Sequence, residues 1–122
     1  MLIPAPGSGV TPHLWIVVTE PDDRGICIIV NLTTLRHGQD QTVTIAANEH
    51  PFVNRPTSVR YSDARLADIH KLRGEVARGL AVQKASCSSK LLKLVQDGVC
   101  ASPYTPNKIV EFYRAWKEAR GI

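Results

Sequence analysis

The sequence predicts an α+β domain in which a small, strongly curved antiparallel sheet or barrel is followed by C-terminal helices. Three observations predict it. β-Branched and aromatic runs punctuated by turn residues fill positions 13–61, three- and four-residue apolar spacing takes over after Asp68, and a length of 122 residues suits one core. Residues 13–66 are the barrel-like part and 68–120 the helical part of a single domain spanning 1–122.

The first run, His13 to Thr19, and the second, Ile26 to Leu32, flank the turn-forming Pro21-Asp22-Asp23-Arg24-Gly25 and read as a β-hairpin. Both are apolar at nearly every position, the pattern of central strands covered on two faces. A polar connection, Arg36 to Gln41, leads to Thr42-Val43-Thr44-Ile45, whose alternation marks a strand with one wet face. The following segment, Asn48 to Pro56, carries two prolines that bias their predecessors away from helix, and it reads as a loop. Thr57 to Tyr61 alternates again as a fourth strand, closed by Ser62-Asp63. Residues 1–12 are rich in Pro and Gly.

Asp68 reads as the N-cap of a helix whose stripe is Ile69, Leu72, Val76 and Leu80, stopped by Gly79. A second helix fits Ser88 to Asp97, where Leu91, Leu92 and Val95 share a face and Gly98 serves as the stop. Thr105 caps a third, with Pro106 at its first position and Ile109, Tyr113 and Trp116 as the buried stripe.

The formal charge of +4 permits nucleic acid as a partner without requiring it. Residues 1–61 hold four basic and five acidic side chains, net −1, and residues 62–122 hold eleven and six, net +5. Lysines and arginines on solvated helix faces are one reading of that excess. Three cysteines without a Cys-x-x-Cys spacing do not make a disulfide framework, so a reduced, cytoplasmic setting is expected. No apolar stretch approaches the roughly 20 residues of a membrane helix, and residues 1–12 lack the regions of a signal peptide. No membrane association is expected.

Phosphate-binding, nucleophile-elbow and zinc-protease motifs are missing, and His13, His37, His50 and His70 never stand in ligand pairs, so neither cofactor nor metal is expected. The remaining residues suit metal-free RNA cleavage. That reaction needs a base for the ribose 2′-hydroxyl, a cation or hydrogen-bond donor for the charged phosphorane, and an acid for the leaving 5′-oxygen. His13 opens the first strand, Thr33 and Thr34 end the second, and His50 lies in the Pro-bounded loop before Arg55 and Arg60. Each also has a structural reading: His13 and Thr33 as strand ends, His50-Pro51-Phe52 as a rigid turn, and Arg60 as a solvated side chain pointing out of the sheet.

The order "HLWIVVTEP", a turn, "ICIIVNLTT", a Pro-containing loop, "SVRYSDARL" and C-terminal helices resembles the MazF/PemK toxins of type II toxin–antitoxin systems. The resemblance is closest to a PemK-like subgroup in which "HPF" precedes a strand, and it covers residues 13–66. It implies an SH3-like barrel with appended helices. It further implies a homodimeric, metal-independent, sequence-specific endoribonuclease acting on single-stranded RNA and neutralised by a cognate antitoxin protein. By this resemblance Thr33 falls on the site threonine. His13 and His50 are then the acid/base candidates, and Arg55 and Arg60 bind RNA phosphate. The chain departs from the family where an Arg-Pro pair and a catalytic loop arginine belong: it has Pro12-His13 and no arginine before Arg24. The family's opening strand also finds no counterpart in residues 1–11. That departure motivates an alternative, a non-catalytic SH3-like barrel module binding a protein or nucleic-acid partner. A DNA-binding helix pair is a third reading, against which residues 98–104 exceed the usual helix-turn-helix turn.

Overall fold

A computed structural model describes residues 2–4, 12–49, 51, 53–79 and 87–121. It is α+β: a curled, half-barrel antiparallel sheet followed by three helices. The strands are β1 (Leu2–Pro4), β2 (Pro12–Val17), β3 (Ile26–Thr34), β4 (Thr44–Ile45) and β5 (Thr57–Asp68), in spatial order β1-β2-β3-β5-β4. The helices are α1 (Ile69–Ala77), α2 (Ser89–Ala101) and α3 (Asn107–Ala119).

The expected hairpin is β2 and β3, with Trp15 opposite Asn31 and Val17 opposite Ile29. Its turn is built by Asp22, whose carboxylate accepts the amides of Arg24 and Ile26, each at 2.9 Å. Gly25 completes it at φ +81°, where a side chain would be strained and would crowd His70.

The double coverage read from β3 is present over half its length. Ile28, Val30 and Leu32 face the main core with Ile16, Val18, Val59 and Tyr61, roofed by Leu91, Val95 and Val99 of α2 and Ile109 and Tyr113 of α3. On the opposite face Cys27 and Ile29 pack with Trp15 beneath Leu72 of α1. Beyond Ile29 that second face turns polar. Its next two positions on β3 are Asn31 and Thr33, paired with Arg60 and Ser58 of β5.

Four details differ from the sequence reading. Leu2–Pro4 forms a strand, pairing Leu2 with Leu14 and Ile3 with His13 on the outer side of β2. The strand expected at 42–45 narrows to Thr44–Ile45, because the Thr42 amide and hydroxyl both donate to Asp40, at 2.9 and 2.6 Å. Ser62-Asp63 does not close β5, which runs on to Asp68. Asn31 faces Arg60 while Ile29 faces Arg65, so two steps on β3 meet five on β5; this bulge bends the strand and curls the sheet.

The fourth difference is in the helices. Asp68 caps α1 by accepting the His70 amide, as read from sequence; Ser88, read as the first residue of the second helix, is instead its cap and accepts the Leu91 amide. Gly98, however, lies inside α2, which continues to Ala101, and Pro106 rather than Thr105 holds the N-cap position of α3. The Ile109 and Val110 amides donate to the Pro106 carbonyl, so a side-chain cap is not used. Gly98 is a packing glycine. A Cβ there would overlap the Tyr61 hydroxyl and stand 2.7 Å from Val43, and that hydroxyl donates to the Val95 carbonyl at 2.7 Å. Among the described residues no helix is long and apolar enough to cross a membrane.

Candidate functional site

Strand alternation places hydrophilic side chains on one end of a sheet face that is apolar elsewhere, and that end is concave. A cleft of about 270 Å³ lies there. Thr33, Ser58, Arg60 and Ser62 supply its floor from β3 and β5, Gly38, Gln39 and Asp40 its wall, and Tyr104, between α2 and α3, its rim.

The wall is fastened at both ends. Gln39 turns its Oε1 inward to accept the Arg36 amide at 3.2 Å and the buried Ser58 hydroxyl at 3.3 Å. Asp40 accepts from the Ser102 hydroxyl at 2.6 Å, and Ser102 Oγ in turn accepts the Tyr104 amide at 3.2 Å. One carboxylate thus ties the β3–β4 connection to the segment that carries Tyr104. Burial works against the charged form of Asp40, but the hydrogen bonds from Ser102 and Thr42 outweigh it and hold the carboxyl below its ordinary value.

Arg60 is half-exposed and pairs with Asp63 at 3.4 Å; Asp63 also accepts the Asn31 side-chain amide at 3.2 Å. The other amide atom of buried Asn31, its Oδ1, meets no donor among the described residues. The Arg60 guanidinium is thus already paired with one carboxylate, and the cleft it lines holds a second, Asp40. A partly exposed ion pair of this kind contributes only about 0–1 kcal/mol, so the guanidinium is not locked to Asp63.

The cleft brings together two of the five site residues read from sequence, Thr33 and Arg60. Arg55 is not at the cleft; it sits exposed in the bend before β5, where its carbonyl accepts the Thr57 hydroxyl at 2.9 Å. The backbone of His13 pairs with Ile3, two residues before Trp15 on β2, and its side chain lies outside the described set. His50 also lies outside the described residues. Sequence reading missed Gln39, Asp40, Ser58 and Tyr104. Asp40 two residues before Thr42 is an Asx-type signal for the turn, but nothing local announces that Asp40 meets Ser102. Among the described residues no three His, Cys, Asp or Glu side chains gather as a metal site.

Comparison with protein-family models, with curated proteins and with solved structures finds no match to this chain.

Proposed function

We propose that this protein is a toxin-like, metal-independent endoribonuclease that cleaves single-stranded RNA at the polar end of its sheet. In this reading it works in the cytoplasm as a homodimer and is neutralised by a cognate antitoxin, as the resemblance to MazF/PemK toxins implies. The observation that carries it is the placing of Thr33 and Arg60 in one solvent-open cleft on an otherwise apolar sheet face.

A base removes the ribose 2′-hydroxyl proton, and the 2′-oxygen attacks phosphorus. Arg60 and the Thr33 hydroxyl stabilise the negative phosphorane oxygens. An acid then protonates the departing 5′-oxygen, leaving a 2′,3′-cyclic phosphate and a 5′-hydroxyl. We assign the two proton transfers to His13 and His50. The ladder position of His13 supports its part: Trp15, two residues on, pairs with Asn31, two residues before Thr33. Arg55 serves an outer phosphate.

The test is incubation of purified protein with end-labelled single-stranded RNA in excess chelator. The native chain should yield cyclic-phosphate fragments, and His13→Ala should slow cleavage by about 10²-fold or more, the usual worth of a proton-transfer group. Intact RNA after incubation with folded native protein rejects the nuclease.

A second reading has its own observation. The pairing of Arg60 with Asp63 in a cleft that also holds Asp40, together with the missing loop arginine, favours a barrel module that binds its partner without cleaving it. Salt-dependent RNA binding without fragments identifies that case.

A further inference from the structure

We infer that the cleft between β3, β5 and Tyr104 is a one-base pocket that selects nucleobases bearing an exocyclic amino group over uracil. The inference rests on RNA being the partner and names the feature of the RNA this site reads.

Size limits the occupant first. About 270 Å³ falls just short of the roughly 300 Å³ at which pockets for drug-sized ligands begin, so the cleft suits a single flat ring rather than a whole dinucleotide. Tyr104 supplies the stacking surface. It is 59% exposed although aromatic, and its backbone is fixed through Ser102 to Asp40, so the ring stands on a braced segment. Unstacked RNA bases are commonly held this way on aromatic rings.

The wall supplies an acceptor and a donor on consecutive cleft-lining residues, Asp40 and Gln39. Asp40 Oδ1 takes two hydrogen bonds from Thr42, whereas Oδ2 takes one from Ser102 and keeps acceptor capacity. Gln39 commits its Oε1 to Arg36 and Ser58, which leaves its Nε2 donor without a partner among the described residues. A carboxylate acceptor beside an amide donor complements an amino group next to a ring nitrogen, as on cytosine and adenine. Uracil offers a carbonyl where the carboxylate needs a donor. Arg60, on the floor, is left for the phosphate.

The test uses fluorescent 2′-O-methyl oligonucleotides of A, C or U, which lack the attacking hydroxyl, with anisotropy as the readout. The native protein should bind oligo-A and oligo-C about tenfold more tightly than oligo-U, the order of discrimination of one good two-point base contact. Gln39→Glu keeps the Oε1 acceptor and removes the donor, so it should weaken oligo-A and oligo-C binding and reduce that preference, with the Asp40 part of it retained. Tyr104→Ala should weaken oligo-A binding about tenfold through lost stacking, with an unchanged thermal unfolding midpoint. Equal native affinity for the three oligomers overturns the inference. So does native-like binding by both variants, and in either case salt-sensitive RNA binding remains intact as a separate result. No binding of any oligomer by the native protein at low salt removes the RNA reading and the pocket together.

Discussion

Asp40 does more for the site than any other single residue, because its carboxylate joins three places: the turn at Thr42, Ser102 at the end of α2, and through Ser102 the amide of Tyr104. Its folded-state carboxyl lies below the ordinary value of 3.8, so it contributes stability above that value and loses it as pH falls further. Asp40→Asn should therefore lower stability at neutral pH by about 1 kcal/mol, the worth of a charge-assisted hydrogen bond discounted for partial exposure. It should also flatten the decline in stability on acidification. Urea titrations across the acid range compare the two slopes, and parallel acid limbs in native and variant protein contradict the role given to Asp40. At this scale the sequence was partly legible. Thr33 and Arg60 announce themselves through strand ends and alternation, which are local. Asp40 does not, because its partner Ser102 is 62 residues away and only the closed fold brings them together.

Among the elements, α2 shows how packing overrides local propensity. In a solvent-exposed helix Gly→Ala stabilises by up to about 1 kcal/mol. At Gly98 the Tyr61 hydroxyl and Val43 occupy the space a methyl needs, so Gly98→Ala should instead destabilise by about 1–3 kcal/mol and displace the hydroxyl from the Val95 carbonyl. Equilibrium unfolding measures the sign directly, and a stabilised variant refutes the close approach. The same contrast explains which elements sequence could place. Asp68 and Ser88 cap helices through amides two or three residues away, so α1 and α2 begin where the residue types say. The role of Gly98 within α2 depends on Tyr61, which reaches it from β5. The length of β5 depends on a register shift against β3, and its polar Ser62-Asp63, read as a stop, lies within the bulge.

The whole molecule uses its sheet asymmetrically. One face is spent on the core beneath α2 and α3; the other is apolar under α1 and hydrophilic beyond Ile29. The run "ICIIVNLTT" contains this division, since every second residue from Cys27 reads Cys, Ile, Asn, Thr. The concavity that makes the polar half a cleft arises only when the 36–42 connection and Tyr104 close over it. The proposed RNA cleavage, the central claim, is tested most directly by induced expression in a bacterial host of the native chain, Arg60→Ala and His13→Ala at matched soluble levels. Growth and bulk RNA integrity are followed together. Growth arrest with fragmented RNA is expected for the native chain, and relief of both by either substitution. Normal growth with intact RNA in cells holding folded native protein would contradict it.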